Sequence, residues 1–174
     1  VVWHPWMENT WLILKHQFLI WLCAHGRLLT HDRMIRMGMN IQGKCFLCAD
    51  EDETANHLFM TCIFSRKLLS TVIQWCKVHI PVQNAMGWWL QWRCKSATRK
   101  KIIGMIIAAC FYFVWFVRNR SRVEYVVMSG YVVLSQIKWA VLTRIDSIQI
   151  RKKYRKKLNW KDDIKRWEKE WVIV

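Results

Sequence analysis

The stretch CFLCADEDETANHLFMTC, residues 45–62, sets Cys45, Cys48, His57 and Cys62 in the pattern C-x2-C-x8-H-x4-C. Thiolates and imidazole are the ligands tetrahedral zinc prefers. Four of them leave no open position for water or substrate, so the spacing implies one structural Zn2+ rather than a catalytic one. Two sulfurs three residues apart can turn around one ion, with Phe46 and Leu47 at the bend. A His and a Cys five apart would point roughly 140° apart on one regular helix. The chain must therefore leave or enter a helix between His57 and Cys62, and Ser65 offers an N-cap for a helix beginning just after Cys62.

Cys23, Cys76, Cys94 and Cys110 have no such partners and read as small buried hydrophobes. The odd total of seven cysteines, with no secretory signal and no even disulfide framework, favours an intracellular setting, nuclear or cytoplasmic. The chain begins at Val1 rather than Met, as would a piece of a longer polypeptide or a processed chain.

Outward from the cysteines, the sequence reads as mainly α. Only six Gly and two Pro punctuate 174 residues, while 53% are hydrophobic and thirteen are Trp, far too apolar for a disordered chain. Residues 11–25 form an apolar helix ended by Gly26. Thr30 can cap a short second helix that stops at Gly38, with Asp32 in its first turn and Arg33 and Arg36 on its surface. Beyond the zinc segment, 66–77 is amphipathic, with Leu68, Leu69, Val72, Ile73 and Trp75 available for burial. Residues 102–117, IIGMIIAACFYFVWFV, are uncharged and bracketed by Arg99, Lys100 and Lys101 before and Arg118, Arg120 and Arg122 after. Sixteen residues fall short of the roughly 20 a membrane span needs, so a buried core helix is favoured over membrane attachment. Helical periodicity continues through 123–150. The tail opens with RKKYRKK and closes on an apolar seam of Trp160, Ile164, Trp167, Trp171 and Val174, spaced to meet another helix. The expected organisation is residues 1–122 carrying the zinc module at 45–62, then a basic helical extension at 123–174.

Of the net charge of +16, residues 1–43 hold about +2, 44–62 about −3, 63–150 about +11 and 151–174 about +6. Asp50, Glu51, Asp52 and Glu53 make the metal module the acidic part, which would repel phosphate. RNA or DNA would instead be met by the later cations: Arg93, Lys95, Arg99, Lys100, Lys101, Arg118, Arg120, Arg122, Arg151, Lys152, Lys153, Arg155, Lys156 and Lys157. Trp88, Trp89 and Trp92 beside Arg93 and Lys95 are suited either to base stacking or to packing a loop on the core. Polymerase chemistry needs paired carboxylates on metal ions. The only adjacent aspartates, Asp162 and Asp163, lie in a cationic helical stretch, so the chain reads as non-catalytic.

The order of K-H-Q-F-L-I-W-L at 15–22, R-L-L-T-H-D-R-M at 27–34, M-G-M at 37–39, C-F-L-C at 45–48, E-T-A-N-H-L-F at 53–59, Cys62 and R-N-R at 118–120 resembles the zinc-binding domain at the C-terminal end of plant LINE-type (non-LTR) retrotransposon reverse transcriptases. The resemblance covers roughly 11–122. It implies that Cys45, Cys48, His57 and Cys62 ligate zinc, that polymerase activity lies upstream of Val1, and that this part helps hold template RNA or target DNA. Leu69 stands where the family has Trp, and Val117 stands where its W-x-E-R-N element has Glu. The second change removes a carboxylate expected to pair with a neighbouring Arg. The eight-residue gap before His57 also differs from the four-residue gap of the retroviral zinc knuckle. The alternative is a zinc-stabilised protein interaction module, with helical partners meeting Trp160, Ile164, Trp167 and Trp171.

Overall fold

The computed structural model describes residues 8–76 and 97–148. Five α-helices make up most of them: α1 (Leu14–Ala24), α2 (His31–Arg36), α3 (Ile63–Trp75), α4 (Ala97–Glu124) and α5 (Gly130–Ser147), with a π-helical turn at His57–Thr61. The mainly helical expectation holds. Among the described residues the sole β pairing is an isolated antiparallel bridge, Lys44 with Asp52, at the neck of the zinc loop.

The apolar run at 102–117 becomes the axis of the fold. Every residue from Ile102 to Phe111 is buried, because α1, α3, α5 and the π turn all pack on α4. By length and composition this helix could cross a membrane, yet 67% of its apolar window is buried inside the protein. A helix apolar all round is stable in water when its neighbours cover every face. Val133, Ile137, Val141 and Ile145 of α5 join the same hydrophobic cluster as Leu68, Leu69 and Val72 of α3 and Leu19 and Ile20 of α1. Residues 130–147, read from sequence as the start of an extension, thus help build the central core.

α1 is less central than its composition suggests. It begins at Leu14, and only one stripe, His16, Leu19 and Ile20, is buried, whereas Leu14 is 79% and Phe18 59% exposed. The turn before it is tied down by polar contacts: Asn9 Nδ2 donates to the Lys101 carbonyl (3.1 Å), and Arg144 of α5 donates to the carbonyls of Trp11 (3.1 Å) and Thr10 (3.3 Å). Gly26 (φ 59°) and Gly38 (φ 83°) end α1 and α2 as expected, since the left-handed region there costs a glycine nothing.

Candidate metal centre

The four expected ligands converge, with their donor atoms all within 4.8 Å of one another. Cys45 Sγ lies 4.0 Å from Cys62 Sγ and Cys48 Sγ 3.3 Å from His57 Nε2. Zinc bound at its usual bond lengths of about 2.3 Å to sulfur would set tetrahedral sulfurs about 3.8 Å apart. The donors therefore stand within about an ångström of the spacing that one closed Zn2+ would impose. No other group of three or more His, Cys, Asp or Glu side chains among the described residues is placed to hold a metal ion.

Two local devices build the site. The first is a tight loop in which the Cys45 amide donates to the Glu51 carbonyl (2.9 Å), the Glu53 amide to Gly43 (2.7 Å) and the Ala49 amide back to Cys45 (2.8 Å). Lys44 Nζ meets Asp52 Oδ1 at 3.3 Å across its neck. Reversing the chain after Cys48 places Ala49 at φ 59°, a left-handed conformation costing an L-residue about 1–2 kcal/mol. The second device is the π turn. Cys62 N donates to His57 O at 2.8 Å, an i to i+5 closure that stacks the two ligands where a regular helix would splay them. Cys62, extended at φ −56° and ψ 130°, then starts α3.

Cys62, and not Ser65, is accordingly the residue preceding α3. Ser65 Oγ is buried and donates to the Leu58 carbonyl (2.6 Å), fastening α3 to the π turn. The hydrogen bond from Cys45, with the amides of Ser65 and Phe64 facing its sulfur, holds the Cys62 thiol well below the usual cysteine range, although its burial opposes this. A helix N-terminus favours thiolate, so the protein readies Cys62 as a metal ligand.

His57 is oriented from behind. Its Nε2 faces the cluster, and Nδ1 lies 3.0 Å from both Glu51 Oε2 and Thr61 Oγ1. With Nε2 on the metal, Nδ1–H donates to these oxygens, which fixes the tautomer and the orientation of the ring as a ligand. Thr54 Oγ1 accepts from the His57 amide (3.0 Å). From sequence, Glu51 was grouped with the acids that repel phosphate; its role toward His57 has no spacing signature.

Arg118 requires a correction. Read as a phosphate contact, it is 1% exposed, and its Nε and Nη2 bind the Glu53 carboxylate at 2.9, 3.0 and 2.5 Å. A charge inside the packed part of the core helix can be buried only with a partner. The carboxylate that the resemblance placed at position 117 comes instead from the zinc loop. Trp115 covers the guanidinium at 5.0 Å, and Asn119 Oδ1 accepts from Nη1 at 2.8 Å. Glu53 Oε1 also accepts from the His31 amide (3.1 Å), and its carbonyl from Asp32 N (3.1 Å). One carboxylate thus joins the zinc loop, the α2 N-terminus and α4. Thr30, the expected side-chain cap of α2, instead donates to Asp32 Oδ1.

The other cations divide by position. Arg99, Lys100 and Lys101 sit in the first turns of α4 and Arg120 and Arg122 near its end, where Arg120 pairs with Glu124 at 2.7 Å. Nineteen residues of helix separate Lys101 from Arg120, roughly 28 Å at 1.5 Å per residue. Arg93, Lys95, the tryptophans at 88, 89 and 92, the basic cluster Arg151, Lys152, Lys153, Arg155, Lys156 and Lys157, and the seam at Trp160, Ile164, Trp167 and Trp171 lie outside the described residues.

Fold and donor set together define a helical domain stapled by a closed structural zinc site. Residues 1–68 match the family model described as zinc-binding in reverse transcriptase. That segment contains all four ligands and ends within α3, and in it the chain is similar to that family. No curated protein and no solved structure matches the chain.

Proposed function

We propose that this chain is the zinc-stabilised, non-catalytic helical domain of a LINE-type reverse transcriptase, placed after the polymerase and helping it hold template RNA or target DNA inside the cell. The observation that carries this reading is the separation of charge along the sequence: an acidic metal loop in a chain whose later segments, 63–174, hold the positive excess. Contacts would be made to phosphates by Arg99, Lys100, Lys101, Arg120 and Arg122, with Arg93, Lys95 and the cations of 151–157 adding to the same field. Since the two ends of α4 stand roughly 28 Å apart, a nucleic acid touching both would run along the helix for about eight base steps at 3.4 Å each.

Phosphate-dominated binding is steep in salt and indifferent to sequence. If six to ten phosphates are neutralised, affinity for a random duplex falls roughly 10³- to 10⁵-fold between about 50 and 200 mM salt. Salt-insensitive affinity, or none for either RNA or DNA, ends this reading. A second reading, a protein interaction module, draws on the outer face of α5, where Tyr131 is 79% and Trp139 71% exposed. Sedimentation of the chain with and without residues 158–174 discriminates, because a monomer in both cases leaves that module without a partner.

A further inference from the structure

α1 carries two apolar stripes. The inner one, His16, Leu19 and Ile20, packs on α4. The outer one runs Leu14, Phe18, Trp21 and His25, a 4-3-4 spacing that sets four side chains in one line on a helix. The last three form a ladder of rings. Phe18 and Trp21 stack with centroids 5.9 Å apart and planes 13° from parallel, and Trp21 meets His25 at 4.6 Å and 36°. The Arg27 guanidinium lies 5.1 Å over the Trp21 ring. His25 Nδ1–H donates to the Trp21 carbonyl at 2.8 Å, which holds the imidazole in the ladder.

Core packing does not account for this arrangement, since Phe18 is 59% exposed and His25 is exposed too. Its electrostatics are one-sided. Residues 9–31 contain Lys15 and Arg27 but no Asp or Glu, and the next acid, Asp32, is engaged by Arg36 at 3.0 Å and by Thr30. Exposed rings, one pair of them near-parallel, with a guanidinium against the ladder and no acid in the segment suit planar bases on a phosphate chain.

We propose that Phe18, Trp21 and His25, with Arg27, form a stacking platform for the unpaired bases of a single-stranded nucleic acid. This rests on the reading above and deepens it by naming a surface and the strand state it selects. A duplex keeps its bases stacked on one another, so it can use the cations but not the rings.

The test compares the full zinc-loaded chain with Phe18→Ala, Phe18→Leu and Phe18→Tyr, using fluorescence anisotropy on a labelled oligothymidylate strand and on a duplex. Circular dichroism and zinc stoichiometry confirm that each variant folds. Phe18→Ala is expected to weaken single-strand binding about 5- to 150-fold, the range for losing one stacked base, and to leave duplex binding within about twofold. Phe18→Tyr restores affinity and Phe18→Leu does not. Unchanged single-strand affinity in Phe18→Ala, alongside steep salt dependence in the native chain, overturns the platform and spares the phosphate reading. Absence of any binding by the native chain overturns both. Native-like binding by Phe18→Leu, an equal loss on duplex, or self-association that Phe18→Ala abolishes also overturns the platform, the last placing a second copy on the stripe.

Discussion

Glu53→Gln should cost this protein more than any change to its exposed acids, and the structure sets the scale. The substitution keeps shape and an oxygen for the His31 amide, but it leaves Arg118 charged and 1% exposed with no counter-charge. Removing one partner of a buried ion pair typically costs about 3–5 kcal/mol, a large part of the roughly 5–15 kcal/mol that holds a domain together. At about 2–4 °C per kcal/mol for a chain of this size, the melting temperature should fall by roughly 6–20 °C. Because Glu53 sits in the zinc loop, part of the loss should appear as weaker zinc binding, since the binding energy of a structural metal is folding energy. The assay is urea unfolding of the zinc-loaded chain followed by far-UV circular dichroism, paired with zinc titration against a chromophoric chelator. Adding Arg118→Met should recover at least half of the lost stability, because it removes the stranded charge while the substituted side chain at position 53 still offers an oxygen to the His31 amide. Stability of Glu53→Gln within about 0.5 kcal/mol of the native chain, the scatter of ordinary surface substitutions, would refute the reasoning. So would a double variant no better than the single one.

Three further outcomes follow from the structure. Glu51→Gln should weaken zinc about 10- to 100-fold by chelator competition, the usual effect of losing a carboxylate behind a metal-bound His, whereas Cys45→Ser should lose about one equivalent of zinc outright; equal affinity for Glu51→Gln and native protein would show that Thr61 alone orients His57. His16 is buried without a hydrogen-bond partner for either ring nitrogen, stacked at 4.4 Å on Tyr112, and burial, then Lys15, pushes its pKa down to about 4. The unfolded imidazole takes its proton near 6.5 and the folded one only near 4. Stability therefore holds above about pH 6.5 and falls by at most about 3 kcal/mol as pH drops through that window. His16→Phe removes this loss, and subtracting its stability-against-pH curve from the native one cancels the protonation of the zinc ligands; parallel curves would sink the assignment.

The local features of this chain were legible because their causes are local. Ligand spacing set the zinc donors, and the conflict between a five-residue gap and a regular helix required a break that appears as the π turn. Gly26 and Gly38 stopped their helices, and the unbroken apolar run at 102–117 marked the central helix, buried on every side from Ile102 to Phe111. Three features depended on residues far apart in sequence. Glu53 and Arg118 are separated by 65 positions, and one-dimensional spacing cannot say which of four consecutive acids will meet a cation inside a core. The two stripes of α1 are both apolar, so composition alone could not tell that α4 would take the one containing His16 and leave Phe18 outside. The basic residues flanking the core helix read as one class, and only packing divided them, because the low-dielectric interior admits a guanidinium solely with its carboxylate while the helix ends remain near water. Sequence determined which groups could bind metal and which segments would coil; the tertiary structure decided which charges were neutralised and which aromatic face was left open.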